Sequence, residues 1–249
     1  MDNDQINNLF GLLGKNISYS FSQGYFTKKF EELHLCTHKY VNFDIQSIDE
    51  FISIIKNNPN LKGLNVTIPY KQEILPFLDS INTKAKQIGA VNTIKITDQG
   101  LKGYNTDCYG FKKSIKPFLK AHHKRALILG TGGASKAIAF TLDELGIGYK
   151  FVSRNASSNK IAYNSLTENT IKSHQIIINC TPLGTFPNIE NKPNISYKYI
   201  GSQHLLYDLI YNPSETTFLK LGKQQGAQTC NGLKMLELQA EKAWKIWNS

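Results

Sequence analysis

The sequence has no apolar run near the ~18 residues that span a bilayer; stretches such as Ala126-Leu127-Ile128-Leu129 are short. Its four cysteines, Cys36, Cys108, Cys180 and Cys230, lie far apart and form no Cys-x-x-Cys pair. This excludes a disulfide frame and predicts reduced thiols. Six histidines show no H-E-x-x-H or similar ligand spacing, so no metal site is expected. The opening Met1-Asp2-Asn3-Asp4 is acidic where an export signal is basic and then apolar, which predicts a cytoplasmic protein. There is no internal repeat and no low-complexity segment. Acidic side chains are also scarce: 19 Asp+Glu face 29 Lys+Arg, a formal net charge of +10.

What is present describes a globular chain. Its 249 residues are 41% hydrophobic and 19% charged, enough to bury a large core. The positive surplus is uneven. Residues 1–107 carry 11 basic and 11 acidic groups, residues 108–229 carry 15 and 6, and residues 230–249 carry 3 and 2. A neutral lobe thus precedes a basic one. In the basic lobe Lys112, Lys116, Lys120 and Lys124 recur every four residues, one stripe if helical, although Pro117 interrupts it. Phe118 is the single Phe, Tyr or Trp within the stripe and no zinc-finger or RNP motif occurs, so a nucleic-acid binder ranks last among the readings.

Strand-like segments are expected at 9–14, 40–45, 63–67, 91–96, 101–104, 126–130, 149–153, 176–180 and 205–209. Helices are expected at 23–35, 47–56, 109–119, 134–145, 215–225 and 232–247, with loops at 155–160 and 186–198. The alternation predicts an α/β fold of parallel sheets with helices on both faces.

The segment at 125–129 runs into Gly130-Thr131-Gly132-Gly133-Ala134-Ser135 and then a helix-forming stretch. Strand, glycine turn and helix in this order aim backbone N–H groups and a helix N-terminus at a pyrophosphate. Ser135 stands where the third glycine of the usual fingerprint would be. An ordinary βα turn is the plainer reading, but the correct elements on both sides favour the phosphate site. The next strand ends in Ser153-Arg154-Asn155, where an NAD site usually places Asp or Glu. Arg154 suits a 2′-phosphate instead, which favours NADP(H).

The neutral lobe carries polar groups at strand ends. Ser20 and Ser22 are two residues apart and share one side of a segment expected to be extended. Asn65 and Thr67 share a face in Asn65-Val66-Thr67-Ile68-Pro69-Tyr70-Lys71. Further clusters are Ala90-Val91-Asn92-Thr93 and Gly103-Tyr104-Asn105-Thr106-Asp107, with Asp107 placed to cap the next helix. Together they offer hydroxyls, amides, an ammonium and a carboxylate, suited to a small polyhydroxylated ligand.

These motifs, in this order, resemble the shikimate dehydrogenase family over nearly the whole chain. The paired serines, N-V-T-x-P-x-K at Asn65 to Lys71, G-A-V-N-T at Gly89 to Thr93 and G-x-N-T-D at Gly103 to Asp107 all match. So do the glycine loop, N-C-T-P-x-G at Asn179 to Gly184, Asp208 to Pro213, and Gly232 to Ala240. The resemblance implies an N-terminal α/β substrate domain (1–107 with 230–249) and an NADP-binding Rossmann domain (108–229), the last helix returning to the first domain. It implies NADPH-dependent reduction of 3-dehydroshikimate to shikimate in aromatic amino-acid biosynthesis, by a monomer or homodimer without metal, nucleic acid or membrane partner.

By the same resemblance, Ser20, Ser22 and Tyr211 hold the substrate carboxylate. Asn65, Thr67, Asn92 and Gln239 bond its hydroxyls, and Lys71 and Asp107 flank the reacting oxygen. The cofactor residues are Gly130, Thr131, Gly132, Gly133, Ala134, Ser135, Ser153, Arg154, Thr181, Leu183, Ile210, Gly232 and Met235. Hydride transfer to a ketone builds negative charge on oxygen and needs a nearby proton donor. Lys71 suits that donation, with Asp107 orienting it or sharing the proton as a coupled pair.

Some positions depart from the family pattern. Tyr19 and Gln23 flank the serines where His and Pro are usual, Lys136 replaces an arginine, and Ser153 an asparagine. Only eight residues, 155–162, follow Arg154 before the next apolar segment, where a helix is usual. Lys160 is a weak second candidate for the 2′-phosphate. The other readings are a quinate/shikimate dehydrogenase preferring NAD and a catalytically silent cofactor-binding regulator; retention of Lys71 and Asp107 argues against the latter.

Overall fold

A computed structural model describes residues 6–18, 20–157 and 160–249. The acidic start and Tyr19 lie outside the described residues. The chain divides into two compact units: one ends at Thr106 and takes in Ala240–Ser249, and the other is Asp107–Gln239. Residues 230–239 and Asp107, expected with the first domain, lie in the second unit.

The first unit contains β1 (Asn8–Gly14), α1 (Phe21–Glu32), β2 (His38–Asp44), α2 (Phe51–Asn57) and β3 (Leu61–Val66). β4 (Ser80–Ile81), α3 (Thr83–Ile88), β5 (Thr93–Thr97) and β6 (Gly100–Tyr104) follow. Its sheet has the order β2-β1-β3-β5-β6-β4. Contrary to the expected all-parallel arrangement it is mixed: β1 pairs parallel with β2 and β3, whereas β5 runs antiparallel to both β3 and β6. The turn between β5 and β6 is too short for a parallel crossover, so the two pair as a hairpin. Alternate strand residues face opposite ways. Leu9, Leu13, Leu64 and Ile94 enter one apolar layer, and Phe10 and Leu12 join Phe26, Tyr40, Ala243 and Trp247 in the other.

The second unit contains α4 (Asp107–Ile115), β7 (Arg125–Leu129), α5 (Gly133–Glu144), β8 (Gly148–Ser153), β9 (Lys160–Ala162), α6 (Glu168–Lys172) and β10 (Ile176–Asn179). It continues through β11 (Leu205–Asp208), α7 (Thr217–Gln224) and β12 (Gln228–Cys230) into α8 (Leu233–Trp247), whose last residues belong to the first unit. Every pairing in its sheet, β12-β11-β10-β7-β8-β9, is parallel. Ala126, Ile128, Ile176 and Ile178 pack under α4 and α5. Leu127, Leu129 and Ile177 pack under α6 and α7.

Several expectations are corrected. Ser20 and Ser22 are not on an extended segment: Ser20 caps α1 and Ser22 is in its first turn. Asp107 is the first residue of α4, not its cap. The lysine stripe is not one helix face, because α4 stops at Ile115 and a 3₁₀ turn, Lys116–Phe118, follows at Pro117. Lys112 pairs with Glu144 of α5 at 3.1 Å. Lys160 is not in a loop but opens β9, which joins β8 with Phe151 opposite Lys160. The link from β8 to β9 is residues 154–159, with Ser158 and Asn159 outside the described residues. Parallel neighbours are usually joined by a dozen or more residues.

Candidate active site

The polar residues of the first unit gather at the carboxyl ends of β1, β3 and β6 and the amino end of the antiparallel β5. Ser20 accepts a hydrogen bond from the Ser22 amide at 3.1 Å, which turns the chain into α1. The buried Ser22 hydroxyl bonds the phenol of Tyr40. Tyr40 in turn donates to Asn65 Oδ1 at 2.8 Å. Asn65 Nδ2 reaches the Asn92 carbonyl at 3.4 Å and Thr93 Oγ1 at 3.3 Å. Asn92 Oδ1 accepts from the Thr106 amide at 2.7 Å, and its Nδ2 donates to Thr106 Oγ1 at 3.0 Å. One buried chain of hydrogen bonds therefore links Ser22, Asn65 and Asn92, three residues singled out from the sequence. Such networks fix side chains firmly when every member is satisfied.

Thr67 is half-buried just beyond β3, its amide on the Leu13 carbonyl at 2.9 Å. Lys71 is half-buried on the following turn, and its carbonyl accepts from the Val91 amide at 2.8 Å, one residue before Asn92. Burial holds the Tyr40 phenol far above its ordinary value, with the Ser22 bond opposing, so Tyr40 stays a donor. Tyr40 was not found from the sequence, and Thr93 and Thr106, noted there within polar clusters, were given no role: a tyrosine in an apolar strand reads as core, and a threonine beside an asparagine as turn.

Tyr40→Phe leaves Asn65 Oδ1 without its donor in a buried place. The expected cost is about 1–3 kcal/mol in urea unfolding, together with a higher KM for any ligand bound through Asn65. Unchanged stability and KM would mean that the network does not position Asn65.

In the second unit the strand order reverses between β7 and β10, and ligands of open parallel sheets bind at such switch points. The turn after β7 and the loop after β10 meet there. Gly130 has φ +102°, and a Cβ on it would lie 3.1 Å from Thr181 Cγ2 and 3.3 Å from the Cys180 backbone. Thr131 and Gly132 are exposed, and a Cβ on Gly132, the cap of α5, would meet nothing within 4 Å. That open approach to the N-terminus of α5 fits a pyrophosphate. Gly133 and Ala134 form the first turn of α5. Ser135 is buried, donating to the Gly132 carbonyl at 2.7 Å, so its hydroxyl steadies the turn from within.

The loops after β10 and β11 are organised by a carboxylate that the sequence placed in a motif but gave no role. Buried Asp208 accepts from Thr216 Oγ1 at 2.6 Å, from the Ile210 amide at 3.0 Å and from Asn179 Nδ2 at 3.0 Å. Asn179 Oδ1 accepts from Thr181 Oγ1 at 2.6 Å, and Leu183 gives its amide to Thr181 at 3.3 Å. The Ile210 carbonyl takes the Gly232 amide at 2.9 Å. Four residues singled out for the cofactor, Thr181, Leu183, Ile210 and Gly232, are thus tied to one network. Met235 is instead buried in the core with Phe111 and Ala139. Gln239 is buried and packs on Gly110, where a Cβ would lie 3.2 Å from its own Cβ and 2.5 Å from the Met235 carbonyl oxygen. Tyr211 is half-buried, and Asp107 is buried at the head of α4. Arg154 is exposed after β8, and Ser153 donates to the Asn155 carbonyl.

Burial pushes Asp208 up to about 6 from the ordinary 3.8, against the pull of its three hydrogen bonds. The native state therefore holds this proton more tightly than the unfolded chain. Its contribution to stability is present at low pH and is lost as pH rises from about 4 through 6, on the order of 3 kcal/mol. Asp208→Asn removes that dependence. In unfolding curves the variant should gain on the parent as pH is raised from 4 to 7, and a constant difference would contradict this.

A fully parallel sheet with a glycine turn at its switch point, on one chain with a unit that has a buried hydroxyl–amide network, defines a two-unit α/β protein of the dinucleotide-binding type. Residues 12–94 match the family model for the shikimate dehydrogenase substrate binding domain. An NADP(+)-dependent shikimate dehydrogenase of Methanosphaera stadtmanae is 40% identical over 95% of this chain and 90% of its own length. The solved shikimate dehydrogenase 1 of Peptoclostridium difficile is 41% identical with a TM-score of 0.85, covering 97% of this chain and 91% of that one. Another shikimate dehydrogenase, solved in complex with NADP+, is 32% identical with a TM-score of 0.82 over 97% of this chain and 90% of its own. The chain belongs to the shikimate dehydrogenase family.

Proposed function

We propose that this chain catalyses the NADP-dependent interconversion of 3-dehydroshikimate and shikimate, a step of aromatic amino-acid biosynthesis. The observation that carries this reading is the presence, on one chain, of the open glycine turn at the switch point and the buried Ser22–Tyr40–Asn65–Asn92 network. NADPH, when bound, supplies the hydride. Gly130 to Ala134 receive its pyrophosphate, and Arg154 meets its 2′-phosphate. Ser20, Ser22 and Tyr211 hold the substrate carboxylate, while Asn65, Thr67, Asn92 and Gln239 bond its hydroxyls. Lys71 gives a proton to the oxygen on which charge develops, and takes it back in the oxidation. Asp107 orients substrate and lysine.

The proposed setting is the cytoplasm, with the protein a monomer or homodimer; four free cysteines fit a reducing compartment. Among the described residues no helix is long and apolar enough to cross a membrane. The test is the rise in nicotinamide absorbance when shikimate is mixed with the purified chain and either nucleotide. NADP+ should exceed NAD+ in kcat/KM by roughly tenfold or more, the worth of one charge-assisted contact. No turnover with either nucleotide would overturn the assignment.

A further inference from the structure

The second unit holds a cavity of about 720 Å³ that none of the residues assigned above lines. Its volume is that of a small-molecule site. It lies beside β12, the edge strand of the sheet, and is walled by the end of α4 with its following turn, by α7, and by the first two turns of α8. The walls combine apolar, charged and neutral polar groups, the last being Ser114, Ser214, Thr229 and Asn231. Pro117, Phe118, Leu219 and Leu238 supply an apolar surface, with one aromatic ring among them.

The charged groups at its rim are Lys113, Glu215 and Lys234. Glu215 is held by Lys223 at 3.0 Å, and Lys234 by Glu237 at 3.0 Å, so those charges are matched. Lys113, exposed on α4, has no ion-pair partner among the described residues. The cavity thus presents one unmatched cation over an apolar wall. A phosphate would call for more than one cation or a cradle of N–H groups, and a neutral apolar ligand would make no use of Lys113.

We propose that this cavity binds a small aromatic carboxylate, its ring against Phe118, Leu219 and Leu238 and its carboxylate on Lys113. Ring and single charge match the apolar wall and its unmatched cation, and the cavity shares no lining residue with the site assigned to shikimate.

The test is calorimetric titration of the whole protein with 3-phenylpropionate in the presence of saturating shikimate, which keeps the probe out of the substrate site. One equivalent should bind. The neutral analogue 3-phenyl-1-propanol should bind about fivefold more weakly, the upper worth of an exposed ion pair. Lys113→Gln, a change on an exposed helix surface, should lower the affinity for 3-phenylpropionate by the same factor while leaving shikimate turnover unchanged. No binding below about 5 mM, equal affinity for acid and alcohol, or an unaltered affinity in Lys113→Gln would each overturn the proposal. Because binding is read directly by heat, its failure is distinct from any failure of the dehydrogenase assignment.

Discussion

Lys71→Ala is expected to lower kcat for shikimate oxidation by about 10²–10⁴-fold, the range contributed by a positioned acid or base. Shikimate affinity, measured by calorimetry, should stay broadly intact. The turn that carries Lys71 is held by main-chain bonds and by its neighbours. The Tyr70 amide bonds the Thr67 carbonyl at 2.9 Å, and the Tyr70 hydroxyl bonds the Ile45 carbonyl at 2.9 Å. The Val91 amide holds the Lys71 carbonyl, and Ile74 is fully buried one turn further on. Truncation at Lys71 leaves all of these in place, so lost turnover in a folded variant reports chemistry. A folded variant with near-normal kcat would remove Lys71 from the reaction.

The second large effect separates two glycines that the sequence groups together as cofactor residues. A Cβ on Gly232 would lie 2.5 Å from the Leu209 carbonyl carbon and collide with its oxygen. Both partners are main chain, so no side-chain rotation relieves the clash. The Gly232 amide also bonds Ile210, and its carbonyl accepts the Leu236 amide at 3.0 Å in the first turn of α8. Gly232→Ala must therefore push α8 away from the end of β11, and about 3 kcal/mol of stability should be lost in urea unfolding. Gly132 is the opposite case. Its backbone is extended and its Cβ position is open. Gly132→Ala should stay within about 1 kcal/mol of the parent, yet raise the KM for NADP+ as the methyl group stands where phosphate approaches. Equal losses of stability in the two variants would refute the distinction.

This contrast was not legible in the sequence, which assigned both glycines one role, although the motifs that hold them were. The glycine turn stood out because strand, turn and helix are contiguous, and contiguous residues carry their own geometry. The polar motifs at Ser22, Asn65 and Asn92 stood out for the same reason. What joins them did not. Tyr40 meets Asn65 only because β1 lies between β2 and β3 in the sheet. Asp208 meets Asn179 because those two residues stand opposite each other in the β10–β11 register. Strand direction in the first sheet was misjudged because an apolar run does not say which way its neighbour runs. The short strands β4, β9 and β12 and the short helices α3 and α6 offer too few residues for a period to emerge.

The first unit is discontinuous, and this bears on how the protein is made. Trp247 fills the space left by the missing side chain of Gly63, and its indole N–H bonds the Ile94 carbonyl at 2.9 Å. With Ala240 and Ala243 it completes the aromatic layer around Phe10, Phe26 and Tyr40. A ribosome releases residues 240–249 only after the whole of Asp107–Gln239. The unit translated first therefore cannot complete its apolar layer until the last of these residues has been made.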